Sequence, residues 1–161
     1  MITKDAWAGI PVWTRDGKAA ILKANIHPWN TPPYYADEFF LFTREGEIRQ
    51  VTDLMDIFTE VLIGIFYDFS PDGNKVAFSL NTQPSSGNEY LFSILEVDSG
   101  DVTKYCWYAQ STYWSPDSEK LVLEIVEPGT QKLITVILNY KDGTAVKISD
   151  ERGIRGWMVS P

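Results

Sequence analysis

His27, in "HPWN", and Cys106, in "KYCWY", are the one histidine and the one cysteine of the chain. Metal centres built on His and Cys need such ligands in clusters, so no metal site is expected. A single thiol cannot form an internal disulfide. Reactive thiolates sit in electropositive surroundings, whereas the apolar, aromatic neighbours of Cys106 predict a buried structural thiol. His27 is expected to be a solvent-facing loop residue, with ligand stacking or titration as the less favoured reading. Ser-His-Asp catalysis at a nucleophile elbow would show as G-x-S-x-G, and the sequence contains none. "SSGN" and "EPGT" are ordinary loops rather than phosphate-cradling glycine motifs. No catalytic residue and no cofactor are therefore assigned.

Carboxylates and aromatic rings remain. Paired carboxylates hydrolyse glycosides, and Asp5, Asp16, Asp37, Glu38, Asp53, Asp56, Asp68, Asp72 and Asp117 are available. Asp16, Asp72 and Asp117 recur in one repeated turn, which is a sufficient structural reason for them. Asp68 has Val12, Tyr113 and Met158 at its equivalent positions, so the repeat does not demand an acid there. It is the best polar candidate to face a central channel. Trp29, Tyr34 and Tyr35 lie in the insertion "NIHPWNTPPYYAD" (25–37), and Tyr105, Trp107, Tyr108 and Tyr113 cluster further on. Most such rings pack in cores, but exposed Trp and Tyr anchor peptides and sugars. The candidate ligand-binding set is Trp29, Tyr34, Tyr35, Asp68 and Trp107.

These residues are positioned by an internal repeat, the first feature to seek in a chain of this kind. "YDFSPDGNKVAF" (67–78) returns as "YWSPDSEKLVL" (113–123), with a weaker echo in "VWTRDGKAAIL" (12–22) and a truncated one in "WMVSP" (157–161). Aligning Trp13, Phe69, Trp114 and Val159 gives intervals of 56, 45 and 45 residues. A second landmark, the glycines of "REGEIRQVT", "DSGDVTKYC" and "KDGTAVKIS", recurs at 54 and 43. Each repeat reads as four short strands. Pro sets the first turn dihedral, Asp bonds nearby amides and Gly accepts positive φ, giving tight turns between alternating strands. Strands are expected near 19–24, 38–43, 47–51, 75–80, 89–97, 102–106, 119–126, 131–139 and 145–149, with innermost strands ending before Thr14, Ser70 and Ser115. Trp13, Phe69, Trp114, Val76, Phe78, Leu121, Leu123, Phe40, Phe42, Leu91 and Ile94 are expected to be buried. "DLMDIFTEVLIG" (53–64) has helical spacing, with an extended strand pair as the competing reading.

Four antiparallel strands every 40–45 residues or so mark a β-propeller blade. "FSPDGNKVAF" and "WSPDSEKLVL" resemble the repeats of TolB-type, WD40-like (PD40) propellers, and of the propeller domains of prolyl-oligopeptidase-type peptidases. The resemblance implies an all-β chain of three blades: blade one at 10–53, blade two at 65–106, blade three at 111–150, and the start of a fourth at 154–161, all in one partial propeller domain spanning 1–161. Propellers of this kind close with four or more blades, six being the TolB-type number, so three readings stand: assembly, most simply as a homodimer of six blades, then a fragment of a longer propeller, and last an open three-blade array capped by its own terminal segments. The function implied is a non-catalytic scaffold that binds a protein or peptide through loops and channel mouth. The alternative is an enzyme or enzyme part: a hydrolase or lyase with channel carboxylates, or the propeller of a peptidase.

Composition narrows the partners. With 44% apolar residues the chain can build a core and disorder is not expected. A formal charge of −8 argues against nucleic acid, and no run approaches a membrane span of about 20 residues. The start, "MITKDAWAGIPVW", lacks an apolar signal-peptide core. As it stands the chain reads as cytoplasmic, or as periplasmic or extracellular if a secretion signal has been removed.

Overall fold

A computed structural model describes residues 8–27, 32–87, 89–127, 129–150 and 157. The chain forms three consecutive four-stranded antiparallel meanders. The first holds β1 (Val12–Trp13), β2 (Ala19–Asn25), β3 (Asp37–Thr43) and β4 (Ile48–Gln50); the second holds β5 (Leu62–Phe69), β6 (Lys75–Asn81), β7 (Leu91–Glu96) and β8 (Val102–Lys104). The third holds β9 (Ala109–Trp114), β10 (Lys120–Val126), β11 (Leu133–Asn139) and β12 (Ala145–Ser149). In each sheet the strands lie in chain order from innermost to outermost, so each sheet is a propeller blade.

The repeated turn is built identically each time. The Thr14 hydroxyl donates to Asp16 at 2.8 Å, and Asp16 accepts the Lys18 N–H at 3.1 Å. Ser70 with Asp72, and Ser115 with Asp117, repeat both bonds. The backbone then closes from Thr14, Ser70 and Ser115 onto the carbonyls of Ala19, Lys75 and Lys120 at 2.8–2.9 Å. The fourth turn residue must be left-handed: Gly17 has φ 68° and Gly73 φ 76°. Ser118 holds the same place at φ 62°, and its hydroxyl accepts the Asp72 N–H at 3.0 Å. A bond to the neighbouring blade thus accompanies a conformation that disfavours a side chain. The aspartates are explained by the turn, and no active site is needed to account for them.

Apolar strand faces bury against the next blade. One core, centred on Ile21, Phe39, Ile63, Phe69, Val76, Phe78 and Leu95, lies between blades one and two. The other, centred on Ala77, Phe92, Ile94, Trp114, Leu121, Leu123, Val136 and Leu138, lies between blades two and three. Phe69, Trp114, Val76, Phe78, Leu121, Leu123, Phe40 and Ile94 are buried as the alternation predicts. Phe42 and Leu91 are only half-buried.

Two expectations about burial are corrected. Trp13 is 55% exposed. It ends β1 where Trp114 ends β9, but Trp114 has blade two to pack on, and no described blade precedes blade one. Cys106 is exposed rather than buried, because it lies in the connection after β8 while the rings beside it turn inward. Segment 53–64 is also not a helix. A single 3-10 turn, Leu54–Asp56, is followed by an extended run into β5. Glu38, fully buried, accepts the Met55 N–H at 2.8 Å and the Thr52 hydroxyl, which pins that turn against β3.

Candidate functional site

A meander places alternate connections at opposite ends of a blade. The β1–β2 and β3–β4 turns share one end; the β2–β3 loops and the connections between blades share the other. Tyr34 and Tyr35 (β2–β3 loop of blade one), Tyr90 (β6–β7 loop of blade two), and Trp107 and Tyr108 (between blades two and three) therefore collect at the loop end.

The loop end is fixed by interlocked backbone. Ala36 bridges Val61, Val61 N–H donates to the Tyr35 carbonyl at 2.9 Å, and Asp37 N–H donates to the Val61 carbonyl at 3.0 Å. Below it lies a buried ion pair. Lys23 Nζ meets Asp37 Oδ2 at 3.1 Å, with both side chains about 5% exposed or less. Lys23 Nζ also donates to the Ile63 carbonyl, and Asp37 accepts the Ile63 N–H at 3.0 Å, so the pair joins blade one to blade two. Tyr67 completes the junction by donating its hydroxyl to the Ile10 carbonyl.

Tyr34 is 60% exposed and Tyr108 45% exposed, whereas Tyr35 and Tyr90 are half-buried. Burial raises the Tyr90 hydroxyl above its usual pKa, and the nearby Asp37, Tyr35 and Tyr108 groups add to that shift. Trp107 stacks on Tyr105 at 5.5 Å, and Tyr105 packs on Phe92, so Trp107 is partly committed to the second core. Beside Tyr90 a cleft of about 160 Å³ is lined by Asn81, Gln83, Glu89, Leu91 and Lys104. Small-molecule sites run to roughly 300–1,000 Å³, so this cleft is smaller than such a site.

Asp68 does not join these residues. It sits on β5 opposite Ala77, one residue from the end of the strand, and so lies at the turn end. Its side chain is exposed, yet desolvation by surrounding strands raises its carboxyl above the usual range. Its carbonyl accepts the Trp114 indole N–H at 3.4 Å. Trp29 lies outside the described residues. Tyr90 was missed in the sequence, although it stands just before the third strand of its blade, much as Tyr35 does in blade one. Among the described residues no group of three His, Cys, Asp or Glu side chains gathers to hold a metal ion. No helix among them is long and apolar enough to cross a membrane.

Three propeller blades with an aromatic loop end define a β-propeller-type chain. Solved structures share this fold. TolB from Acinetobacter baumannii superposes with a TM-score of 0.60 at 20% identity, over 94% of this chain and 35% of that one. A prolyl endopeptidase gives 0.65 at 16%, over 90% and 23%. The β-propeller domain of the trilobed protease from Pyrococcus furiosus, described as having an open velcro topology, gives 0.62 at 15%, over 92% and 44%. The chain thus spans less than half the length of each. No protein-family model matches the chain, and no curated protein matches it.

Proposed function

We propose that this chain is a non-catalytic TolB-like binding scaffold that takes a protein or peptide segment across its loop end. The observation that carries this reading is the gathering of Tyr34, Tyr35, Tyr90 and Tyr108 over a buried ion pair that holds two blades rigid. Tyrosines give large contact area at small cost in side-chain entropy, and the adjacent cleft accepts a single side chain. Trp107, half-buried on Tyr105 in the same connection as Tyr108, is included in this surface. Selection from a displayed peptide library on the wild-type chain tests it. Enriched peptides should lose at least tenfold in affinity to a Tyr34→Ala/Tyr108→Ala variant. Failure to enrich, or equal binding to both, would refute it.

The likeness to peptidase propellers supports a second reading, in which the blades gate access to a hydrolase domain elsewhere. Adding the chain in trans to such a domain would then change cleavage of long peptides but not short ones. The scaffold is further proposed to complete its propeller with a second copy of itself, because the leading face of blade one carries exposed Trp13 and Ile48.

A further inference from the structure

The junction between blades two and three is closed by an indole, whereas the junction between blades one and two has Phe69 in that place. Trp114 ends the innermost strand of blade three, packs into the core shared with blade two, and donates its indole N–H to the Asp68 carbonyl on the innermost strand of blade two. Trp157 makes a bond of the same kind, donating at 3.1 Å to the Tyr113 carbonyl on the innermost strand of blade three, although the repeat aligns Val159 rather than Trp157 with Trp114. Asp68 and Tyr113 are equivalent, each preceding the last residue of its strand. Equivalent carbonyls of blades two and three thus each accept an indole N–H from a tryptophan later in the chain.

Trp13 has the matching position in blade one. It pairs with Ala20 as Trp114 pairs with Leu121, and its strand closes through the same turn bond. The face it shares holds Leu22, Phe42 and Ile48, all at least partly exposed. Among the described residues the Trp13 indole has no partner. What fits this face is the trailing face of a preceding blade. Blade three presents such a face, with Tyr113 39% exposed and Val146 62% exposed on it.

We propose that Trp13 docks on blade three of a second copy, with its indole N–H on the Tyr113 carbonyl, and that Trp157 of that copy must leave this carbonyl for docking to occur. A twofold axis then makes the contact twice and closes six blades. Trp157 acts as an internal cap: it competes with Trp13 for one acceptor, so association is held back until it is displaced. The inference rests on the two-copy reading above and adds the residues that make and restrain the contact.

Sedimentation velocity of the full chain from 2 to 200 µM tests it, on the wild type and on Trp13→Ala, Trp13→Phe and Trp157→Ala. Dimerisation is expected to tighten at least tenfold in Trp157→Ala, to weaken at least tenfold in Trp13→Ala, and to weaken in Trp13→Phe, which keeps a ring but loses the donor. Trp13 is largely exposed, so its replacement spares both cores; unchanged circular dichroism confirms folding. A wild-type monomer that dimerises as Trp157→Ala supports the proposal. Dimers in Trp13→Ala as tight as wild type would overturn the docking while leaving a two-copy assembly standing. Monomers in both wild type and Trp157→Ala would overturn both. Weaker association in Trp157→Ala would overturn the cap.

Discussion

Replacing Lys23 with Met removes the cation from the Lys23–Asp37 pair while keeping most of the side-chain volume. Asp37 then remains almost fully buried, with the Ile63 N–H still donating to it. Removing one partner of a buried ion pair costs about 3–5 kcal/mol, since a charge is left without compensation. For a chain of this size that corresponds to a fall in Tm of roughly 6–20 °C. Changing Asp37 to Asn in the same background removes the stranded charge, and the Asn carbonyl still accepts the Ile63 N–H. The double variant should lie within about 1–2 kcal/mol of wild type, the cost of the lost hydrogen bonding. The double is thus expected to be more stable than the Lys23→Met single. Urea unfolding with linear extrapolation measures all four corners of the cycle. A loss below about 1 kcal/mol in Lys23→Met, or a double variant as unstable as the sum of the singles, would refute the reasoning.

Trp114→Ala should destabilise by about 3–5 kcal/mol, because the ring is buried between blades two and three; urea titration checks it. Gly100→Ala should cost more than about 1 kcal/mol, since Gly100 has φ 80° and a Cβ there would lie 2.4 Å from the Val51 carbonyl oxygen; the thermal midpoint reports it. Burial raises the Glu38 carboxyl despite its bonds from Thr52 and Met55. A raised folded pKa makes stability fall as pH rises from the unfolded value towards the folded one. Glu38→Gln should therefore gain on wild type as pH climbs from about 4.5 to neutrality, read by urea unfolding at each pH. At Asp72, desolvation is outweighed by hydrogen bonds from Ser70 and Asn74 and by Lys75, so its carboxyl is held below its usual range. That stabilisation is present above the unfolded carboxylate pKa and lost as pH falls through the folded one, so Asp72→Asn should flatten acid unfolding below about pH 4.

The sequence showed the blades because turn chemistry is local. Ser-Pro-Asp-Gly states its own hydrogen bonds, and alternation in "NKVAFSL" places Val76 and Phe78 on the face they occupy. Burial of the terminal blade was not legible, since the exposure of Trp13 depends on what stands beside it rather than on its neighbours in sequence. Cys106 misled for a related reason: apolar neighbours in sequence need not share its direction. The spacing in 53–64 is helical, but Glu38, a carboxylate from another strand, fixes only one 3-10 turn there. Tyr34, Tyr35 and Trp107 were readable as loop-end rings once the repeat was known. Their separation from Asp68 needed strand register, and Tyr90 needed the fold.

The stacking of one blade on the next also sets how the molecule comes apart. Each blade touches only its neighbours, so stability approximates a sum over blades and junctions along a line. Blade two is held on both sides, by the Lys23–Asp37 pair and by Trp114; among the described residues blade one has a single blade junction. Amide protection should therefore fall from the central sheet outward, with β6 and β7 exchanging last and β1 early. Opening would spread from the ends as zipper-like fraying, and the population of partly open chains would depend on whether the leading face of blade one is occupied.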